Sequence, residues 1–287
     1  MQKLSGHTQP FAVLGHPIGH TLSPVMHNAS MQAMGMDAIY LALDVKPENL
    51  MMALPAMQAL GFCGVNLTIP HKEVAFRGLE QLDESATLVG AVNTVAFTES
   101  GMVGYNTDGY GFLRAVEEAF GTGVADKKLF VLGCGGAGRA VALVSARQGG
   151  RDIVLADLDR ERCEKVAAEV KAAGAESVRI ADTPASQVEA CLDSELIVQA
   201  TPVGMKPDDQ PLLSSAAFRP GQWAFDLIYM TPETVFTREA AKGGAATANG
   251  LGMLLHQGAR AFTIWTGREP RIDVMRMALE AAVYGAG

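Results

Sequence analysis

Short apolar runs alternate with amphipathic stretches along almost the whole chain, which predicts βαβ units and largely parallel sheets. In the first part we predict alternating elements: strands at 11–14, 39–43, 64–67 and 92–98, and helices at 24–34, 47–60 and 84–88. A helix at 108–120 follows, with Asp108 as its N-cap and Gly121 at its end. This helix separates two series of elements, so we place a domain boundary near residues 105–125.

The second series has the pattern of a doubly wound domain. Its predicted elements are strands at 129–132, 153–156, 178–180, 196–199 and 223–227, and helices at 138–148, 160–173, 233–242, 250–266 and 274–282. A length of 287 residues also favours two domains. We therefore predict an α/β protein: a first domain with a mainly parallel sheet, residues 1–108 completed by the C-terminal helices at 251–287, and a Rossmann domain at 109–250.

A glycine-rich turn lies between the strand at 129–132 and the helix that follows it. Gly133, Gly135 and Gly138 have the spacing G-x-G-x-x-G in the strand–turn–helix context that this motif requires. Glycine lets the backbone turn sharply and approach a pyrophosphate, which then lies on the free N–H groups of the helix N-terminus. A purely structural turn is the alternative. We predict that a dinucleotide binds these residues of the turn: Gly133, Gly135, Gly136, Ala137 and Gly138.

Composition narrows the class of protein. Hydrophobic residues make up 48% of the chain and charged residues 19%, as in soluble globular proteins with a substantial core. The net charge of −8 argues against nucleic acid or an anionic membrane as a partner, though not against small anionic substrates. The four cysteines form no C-x-x-C pair, so we predict neither a metal site nor disulfides. No apolar run has transmembrane length and no secretory signal is evident, so we expect a cytoplasmic protein.

Polar clusters in the first domain contain the candidate substrate-binding and catalytic residues. Thr21 and Ser23 precede a predicted helix that has Pro24 at its first position. Ser23 is therefore the expected N-cap. Two hydroxyls at a helix start can also bind a carboxylate. Asn66 and Thr68 share one face of a strand.

Three further residues complete these clusters. Lys72 follows the strand end, where a lysine is by itself usually a solvated surface residue. Asn93 and Asp108 lie in the segments G-A-V-N-T and N-T-D-G, for which ordinary turn chemistry is the alternative.

Taken together, these segments resemble one family, the shikimate dehydrogenases, including their quinate/shikimate branch. The resemblance covers nearly the whole chain and rests on nine ordered motifs: hydroxyl-x-Ser-Pro at 21–24, N-x-T-x-P-x-K at 66–72, G-A-V-N-T at 90–94, N-T-D-G at 106–109, GxGGxGR at 133–139, A-T-P-V-G-M at 200–205, D-L-I-Y at 226–229, N-G at 249–250 and L-H-Q-G-A at 255–259.

The resemblance implies an oxidoreductase that interconverts shikimate and 3-dehydroshikimate, with quinate and 3-dehydroquinate as a further pair. It places a polyol acid between the two domains, with the carboxylate on Thr21 and Ser23, helped by Tyr229. The residues implied to hold ring hydroxyls are Thr68, Asn93, Asp108 and Gln257. Those implied to bind the cofactor beyond the glycine turn are Thr201, Ile228 and Gly250, with packing as the alternative for Ile228.

Lys72 is implied to face the reacting oxygen, paired with Asp108. Removing hydride from a carbinol carbon requires the hydroxyl proton to leave as the carbonyl forms. A lysine can accept or relay that proton, and in the reverse direction its ammonium can donate to the forming alkoxide. Asp108 would orient the lysine.

The second strand of the Rossmann domain bears on cofactor choice. Asp157 follows Gly138 by 157 − 138 = 19 residues, which matches the acid that binds the ribose in NAD enzymes. NADP-dependent family members carry an arginine next to this position, and here Leu158 replaces it. We therefore predict NAD, with NADP less favoured. The alternatives are that Asp157 only caps the next helix, or that Arg160 or Arg162 binds the 2′-phosphate.

Two other functions remain open. One is a family relative acting on another cyclic polyol acid, such as an aminoshikimate. The other is a ligand-sensing module without turnover, which the presence of both Lys72 and Asp108 disfavours. The sequence fits a monomer or a homodimer and leaves the preference between shikimate and quinate undecided, although Thr21, a serine in many family members, is a candidate discriminator.

Overall fold

The computed structural model describes residues 4–206 and 208–285. The chain folds as two compact units: the residues up to Gly111 together with those from Leu255 onward, and Phe112–Leu254. Among the described residues, no helix is both long enough and apolar enough to cross a bilayer.

The first unit contains a six-stranded mixed sheet of order β2-β1-β3-β5-β6-β4. Its strands are β1 (Gln9–Gly15), β2 (Ala38–Asp44), β3 (Gly64–Leu67), β4 (Gln81–Leu82), β5 (Thr94–Thr98) and β6 (Gly101–Tyr105). β5 pairs antiparallel with both β3 and β6, and the other pairings are parallel. Phe11 and Val13 of β1 join one apolar cluster while Ala12 and Leu14 join another, so both faces of the sheet are buried.

Helices cover this sheet and supply several candidate residues. They are α1 (Ser23–Ala33), α2 (Leu50–Ala59), α3 (Lys72–Gly78), α4 (Glu84–Val89), the start of α5 (Asp108–Phe120), the later part of α10 (Leu251–Thr266) and α11 (Ile272–Tyr284). The sequence prediction lacks β4, β6 and α3, because a two-residue strand, a glycine-rich strand and a seven-residue helix carry little periodicity.

The second unit is a parallel six-stranded sheet of order β12-β11-β10-β7-β8-β9, which is the Rossmann order. Its strands are β7 (Lys128–Leu132), β8 (Asp152–Ala156), β9 (Ser177–Ile180), β10 (Leu196–Gln199), β11 (Trp223–Asp226) and β12 (Ala246–Ala248). Between them lie α6 (Gly136–Arg147), α7 (Arg160–Ala173), α8 (Pro184–Asp193) and α9 (Val235–Lys242). The sequence prediction lacks α8 and β12. The predicted fold class, α/β with a Rossmann domain, is confirmed.

Two residues that were predicted as N-caps are instead the first residues of their helices, which matters for the site. Helix α1 begins at Ser23 itself, after Leu22, and no side chain caps it, so the prediction of Ser23 as N-cap is wrong. Helix α5 begins at Asp108, so this residue is likewise helical rather than the N-cap. As helical residues, both direct their side chains to other partners.

Candidate functional site

Lys72 and Asp108 form an ion pair in the first unit. Lys72 Nζ lies 2.6 Å from Asp108 Oδ2, and the two side chains are 29% and 16% exposed. Each is the first residue of its helix, α3 or α5, so the pair joins two helix N-termini. Partial burial strengthens such a pair relative to a surface one and still leaves the ammonium within reach of a ligand.

Asn93 holds the other oxygen of the same carboxylate. Its Nδ2 donates to Asp108 Oδ1 at 2.9 Å, and its Oδ1 accepts from the Thr107 backbone N–H at 2.8 Å. The Thr107 contact fixes which end of the amide is the donor. Gln257 Oε1 also lies 3.5 Å from Asn93 Nδ2. The structure therefore joins four of the residues singled out by the sequence: Lys72, Asp108, Asn93 and Gln257.

Beneath this group lies a buried polar layer. Asn66 Nδ2 donates to the Asn93 carbonyl at 3.1 Å and to Thr94 Oγ1 at 2.9 Å. The Tyr40 phenol donates to Asn66 Oδ1 at 2.7 Å. Burial raises the pKa of Tyr40 well above its ordinary value, so the phenol stays neutral and can donate. Because Asn66 is fully used within the protein, it supports the site rather than facing a ligand.

Thr21 and Ser23 lie together where α1 begins. Thr21 Oγ1 donates to Ser23 Oγ, and the Ser23 backbone N–H points at Thr21 Oγ1, both at 3.4 Å. The Ser23 hydroxyl also lowers the pKa of the Tyr40 phenol, which opposes the larger effect of burial. Two hydroxyls and the first N–H groups of a helix form a donor-rich corner suited to a carboxylate.

Two other residues predicted to bind substrate have surroundings of their own. Thr68 follows β3. Its methyl group packs closely on Gly15, since a Cβ added to Gly15 would lie 2.6 Å from that methyl carbon. Tyr229 belongs to the second unit, where burial raises the pKa of its phenol. The structure assigns neither residue a ligand contact, and their roles stay predictions.

The glycines of the turn in the second unit are present for two different reasons. Gly133 has φ of 97°, and a Cβ on Gly138 would lie 1.8 Å from the Gly133 carbonyl oxygen, so the fold itself requires both. At Gly135 and Gly136 a Cβ would meet no atom within 4 Å, so protein packing does not explain the missing side chains there. The open space lies at the N-terminus of α6, where the first N–H groups have no intrahelical acceptor. The residues of this turn therefore fit a pyrophosphate.

Asp157 lies directly beside this turn. Its Oδ2 accepts from the Cys134 backbone N–H at 2.6 Å, and its Oδ1 accepts from the Asp159 N–H at 2.9 Å. The cap of α7 is Asp159, whose side chain accepts from the Arg162 N–H, so the alternative that Asp157 caps this helix is wrong.

Both arginines near Asp157 in the sequence are paired with carboxylates. Leu158 is fully exposed and carries no charge. Arg160 is bonded to Glu164 and Asp182, whereas Arg162 lies 3.5 Å from Asp157 and 3.0 Å from Asp159. A 2′-phosphate here would meet carboxylates on both sides of Leu158, which disfavours it electrostatically.

The remaining predicted cofactor residues are held by local contacts. Gly250 donates its N–H to the Ile228 carbonyl at 3.1 Å, and a Cβ on it would lie 2.1 Å from the Leu227 carbonyl oxygen, so packing alone requires this glycine. Ile228 is buried. The loop after β10 is shaped by Gln199, whose amide bonds both the N–H and the carbonyl of Thr201.

Sequence reasoning missed Tyr40 and Gln199 as parts of these arrangements. Tyr40 falls in an apolar strand and Gln199 ends one, and both are almost fully buried. A polar side chain inside an apolar strand signals that a buried partner is needed, but the sequence does not tell which one.

Comparisons with known proteins agree with the motifs. Residues 13–95 match the shikimate dehydrogenase substrate binding domain, and residues 250–280 match the shikimate 5′-dehydrogenase C-terminal domain. Over 288 residues the chain is 44% identical to the shikimate dehydrogenase (NADP(+)) of Moorella thermoacetica, covering 99% of this chain and 96% of that protein.

Two solved structures extend this likeness. Shikimate 5-dehydrogenase from Listeria monocytogenes in complex with shikimate and NAD is 33% identical with a TM-score of 0.90, covering 96% of this chain and 98% of that one. Quinate dehydrogenase from Corynebacterium glutamicum in complex with NAD is 30% identical with a TM-score of 0.88, covering 96% and 99%. The name of the M. thermoacetica relative favours NADP, whereas these two structures are complexes with NAD.

Proposed function

Because the chain belongs to the shikimate dehydrogenase family of oxidoreductases, we propose that it interconverts shikimate and 3-dehydroshikimate with a nicotinamide dinucleotide. The observation that carries this proposal is the Lys72–Asp108 ion pair, with Asn93 on the second carboxylate oxygen. The first unit binds the acid, and the second unit binds the dinucleotide. A dinucleotide bound at the glycine turn would supply the hydride or take it up.

Lys72 is the general acid and base of this reaction. In the oxidative direction the substrate hydroxyl loses its proton to Lys72 or through it, and in the reductive direction the ammonium returns a proton to the oxygen. Asp108 orients the ammonium, and Asn93 prevents the carboxylate from turning away. Preorganised partners of this kind keep the lysine in place before the substrate arrives.

Thr21 and Ser23 anchor the substrate carboxylate. Their hydroxyls lie at the start of α1 and are not used to cap it. Tyr229 assists at the carboxylate, and the residues that hold ring hydroxyls are Thr68, Asn93, Asp108 and Gln257. Quinate shares the carboxylate and ring hydroxyls, so the same groups make it the second candidate substrate.

NAD is the preferred dinucleotide in this proposal. The first argument is the position of Asp157, whose carboxylate lies beside the glycine turn and can accept from a ribose hydroxyl. The second is the uncharged Leu158, with Arg160 and Arg162 both paired to carboxylates. The name of the M. thermoacetica relative points to NADP, so this choice needs a direct measurement.

A steady-state assay that crosses shikimate and quinate with NAD and NADP tests the proposal. We expect turnover of shikimate and a kcat/KM with NAD at least about tenfold higher than with NADP. A preference for NADP would contradict the cofactor assignment alone. Absence of turnover with both acids would contradict the substrate assignment and favour an aminoshikimate-like substrate or a ligand-sensing role.

A further inference from the structure

We propose that Tyr40 is a positioning residue that acts on the Lys72–Asp108 pair through Asn66 and Asn93. The proposal rests on the function proposed above. It follows from a continuous path of hydrogen bonds inside the first unit, most of which lies below the ligand-facing side chains. The path runs through the following residues: Tyr40, Asn66, Asn93, Asp108 and Lys72.

Tyr40 is held by two neighbouring residues and by burial. Asn28 binds both of its backbone groups, accepting from the N–H at 2.8 Å and donating to the carbonyl at 2.9 Å. Its ring stacks on His27 with centroids 4.3 Å apart and planes 6° apart. The residue is 1% exposed, so its phenol must find partners within the protein. These contacts leave the phenol oxygen with one position.

The direction of each hydrogen bond along the path is fixed. The Asn93 carbonyl can only accept, so Asn66 must turn Nδ2 toward it and Oδ1 toward Tyr40. Tyr40 must therefore donate its single proton to Asn66.

The other end of the path is fixed in the same way. The Thr107 N–H can only donate, so Asn93 turns Oδ1 toward it and Nδ2 toward Asp108. Thr94 Oγ1 donates to Asn93 Oδ1 at 2.9 Å and accepts from Asn66, which ties the two amides together a second time. A shift of Asn66 therefore reaches Asp108 through Asn93, and Asp108 carries Lys72.

Tyr40→Phe removes the phenol oxygen and keeps the ring on His27. Asn66 Oδ1 then becomes a buried acceptor without its donor, and relieving that cost moves the amide. We expect kcat to fall about tenfold or more, since small misplacements of a catalytic group reduce the rate strongly. The pH–rate profile should shift, and the KM for NAD should stay within about twofold because the dinucleotide is bound by the other unit.

A double-mutant cycle with Asn66→Ala tests whether Tyr40 acts through Asn66. The double variant should be no slower than Asn66→Ala alone. Once Asn66 is replaced, the Tyr40 phenol has lost the partner through which it acts, so removing the phenol as well should cost nothing further. Trp265→Phe is the control: it removes a part-buried hydrogen bond of 3.0 Å to the Val95 carbonyl outside the path and keeps an aromatic ring beside Tyr40. This control should lose thermal stability and keep kcat and the pH–rate profile.

Exchange of the Asn93 side-chain amide protons, followed by NMR, is a readout that needs no substrate. We expect faster exchange in Tyr40→Phe than in the wild type and no change in Trp265→Phe. Unchanged kcat and unchanged exchange in Tyr40→Phe, or effects that multiply with those of Asn66→Ala, would overturn the proposal. Wild-type protein without shikimate turnover would contradict the proposed function, while the amide exchange would still decide whether Tyr40 holds Asn93.

Discussion

The carboxylate of Asp157 accepts a 2.6 Å hydrogen bond from the backbone N–H of Cys134, inside the glycine turn. The residue that follows β8 therefore fixes the loop that follows β7. A carboxylate has about four lone-pair directions, so both oxygens retain capacity for a ribose hydroxyl. One side chain can thus shape the dinucleotide site and select the dinucleotide.

Cofactor choice should change when this carboxylate and its neighbour are replaced together. In Asp157→Asn/Leu158→Arg, the ratio of kcat/KM for NADP to that for NAD should rise about tenfold or more, because a repulsive charge is removed and a phosphate partner is added. Leu158→Arg alone should give a smaller rise, since Asp157 and Asp159 still flank the new arginine. An unchanged ratio in the double variant would contradict the assignment of Asp157.

Two glycines of the turn should respond differently to alanine. In Gly138→Ala the new Cβ meets the Gly133 carbonyl oxygen, so we expect a lower melting temperature and weaker NAD binding. In Gly135→Ala the Cβ enters open space at φ of −65°, so stability should stay within about 0.5 kcal/mol while NAD affinity falls about tenfold. Calorimetric melting and NAD titration measure both effects. Normal NAD affinity in Gly135→Ala would show that the open space is not the pyrophosphate site.

The Rossmann unit was predictable because its signals are local. The glycine spacing, the preceding apolar strand and the acid after the next strand each lie within a short stretch, and the sheet order follows from the βαβ pattern. Strand β6 was not predicted, because Gly101 and Gly104 weaken the alternation that marks a strand. Strand β5 lies within the predicted strand at 92–98, but its antiparallel pairing was not predicted. Helix α1 begins one residue before its predicted start, whereas α5 begins at the predicted residue. Ser23 and Asp108 are both the first residues of their helices rather than N-caps, so their side chains have other partners.

The candidate site was predictable only in part for a different reason. Motifs single out Lys72, Asn93 and Asp108, but their distances depend on sheet register and helix entry, which the sequence does not encode locally. Tyr40 was not predicted, because its role depends on a hydrogen bond to Asn66, which lies 26 positions away in the sequence. Long-range polar pairing of this kind becomes visible only when the strands are placed side by side.

Lys72 should be needed for turnover and dispensable for dinucleotide binding. Lys72→Ala removes the group that moves the proton, so kcat should fall by about two to four orders of magnitude with little change in the Kd for NAD. Asp108→Asn keeps a side chain of the same shape and should lower kcat less, because Lys72 loses its orienting charge but remains present. Single-turnover kinetics with NAD titration checks both variants. Near-normal turnover in Lys72→Ala would rule out the assigned role.

His27 should make the first unit sensitive to mild acid. Burial lowers its pKa from 6.5 to about 3, and neither ring nitrogen has a hydrogen-bond partner among the described residues. The folded state therefore binds this proton more weakly than the unfolded state, so the contribution to stability is complete above pH 6.5 and is lost as the pH falls toward 3. Between pH 7 and pH 5 the loss amounts to about 2 kcal/mol. His27→Phe keeps a ring against Tyr40 and removes the titration, so its free energy of unfolding in urea should fall correspondingly less over this range. Equal losses in the two proteins would mean that His27 takes up its proton without unfolding.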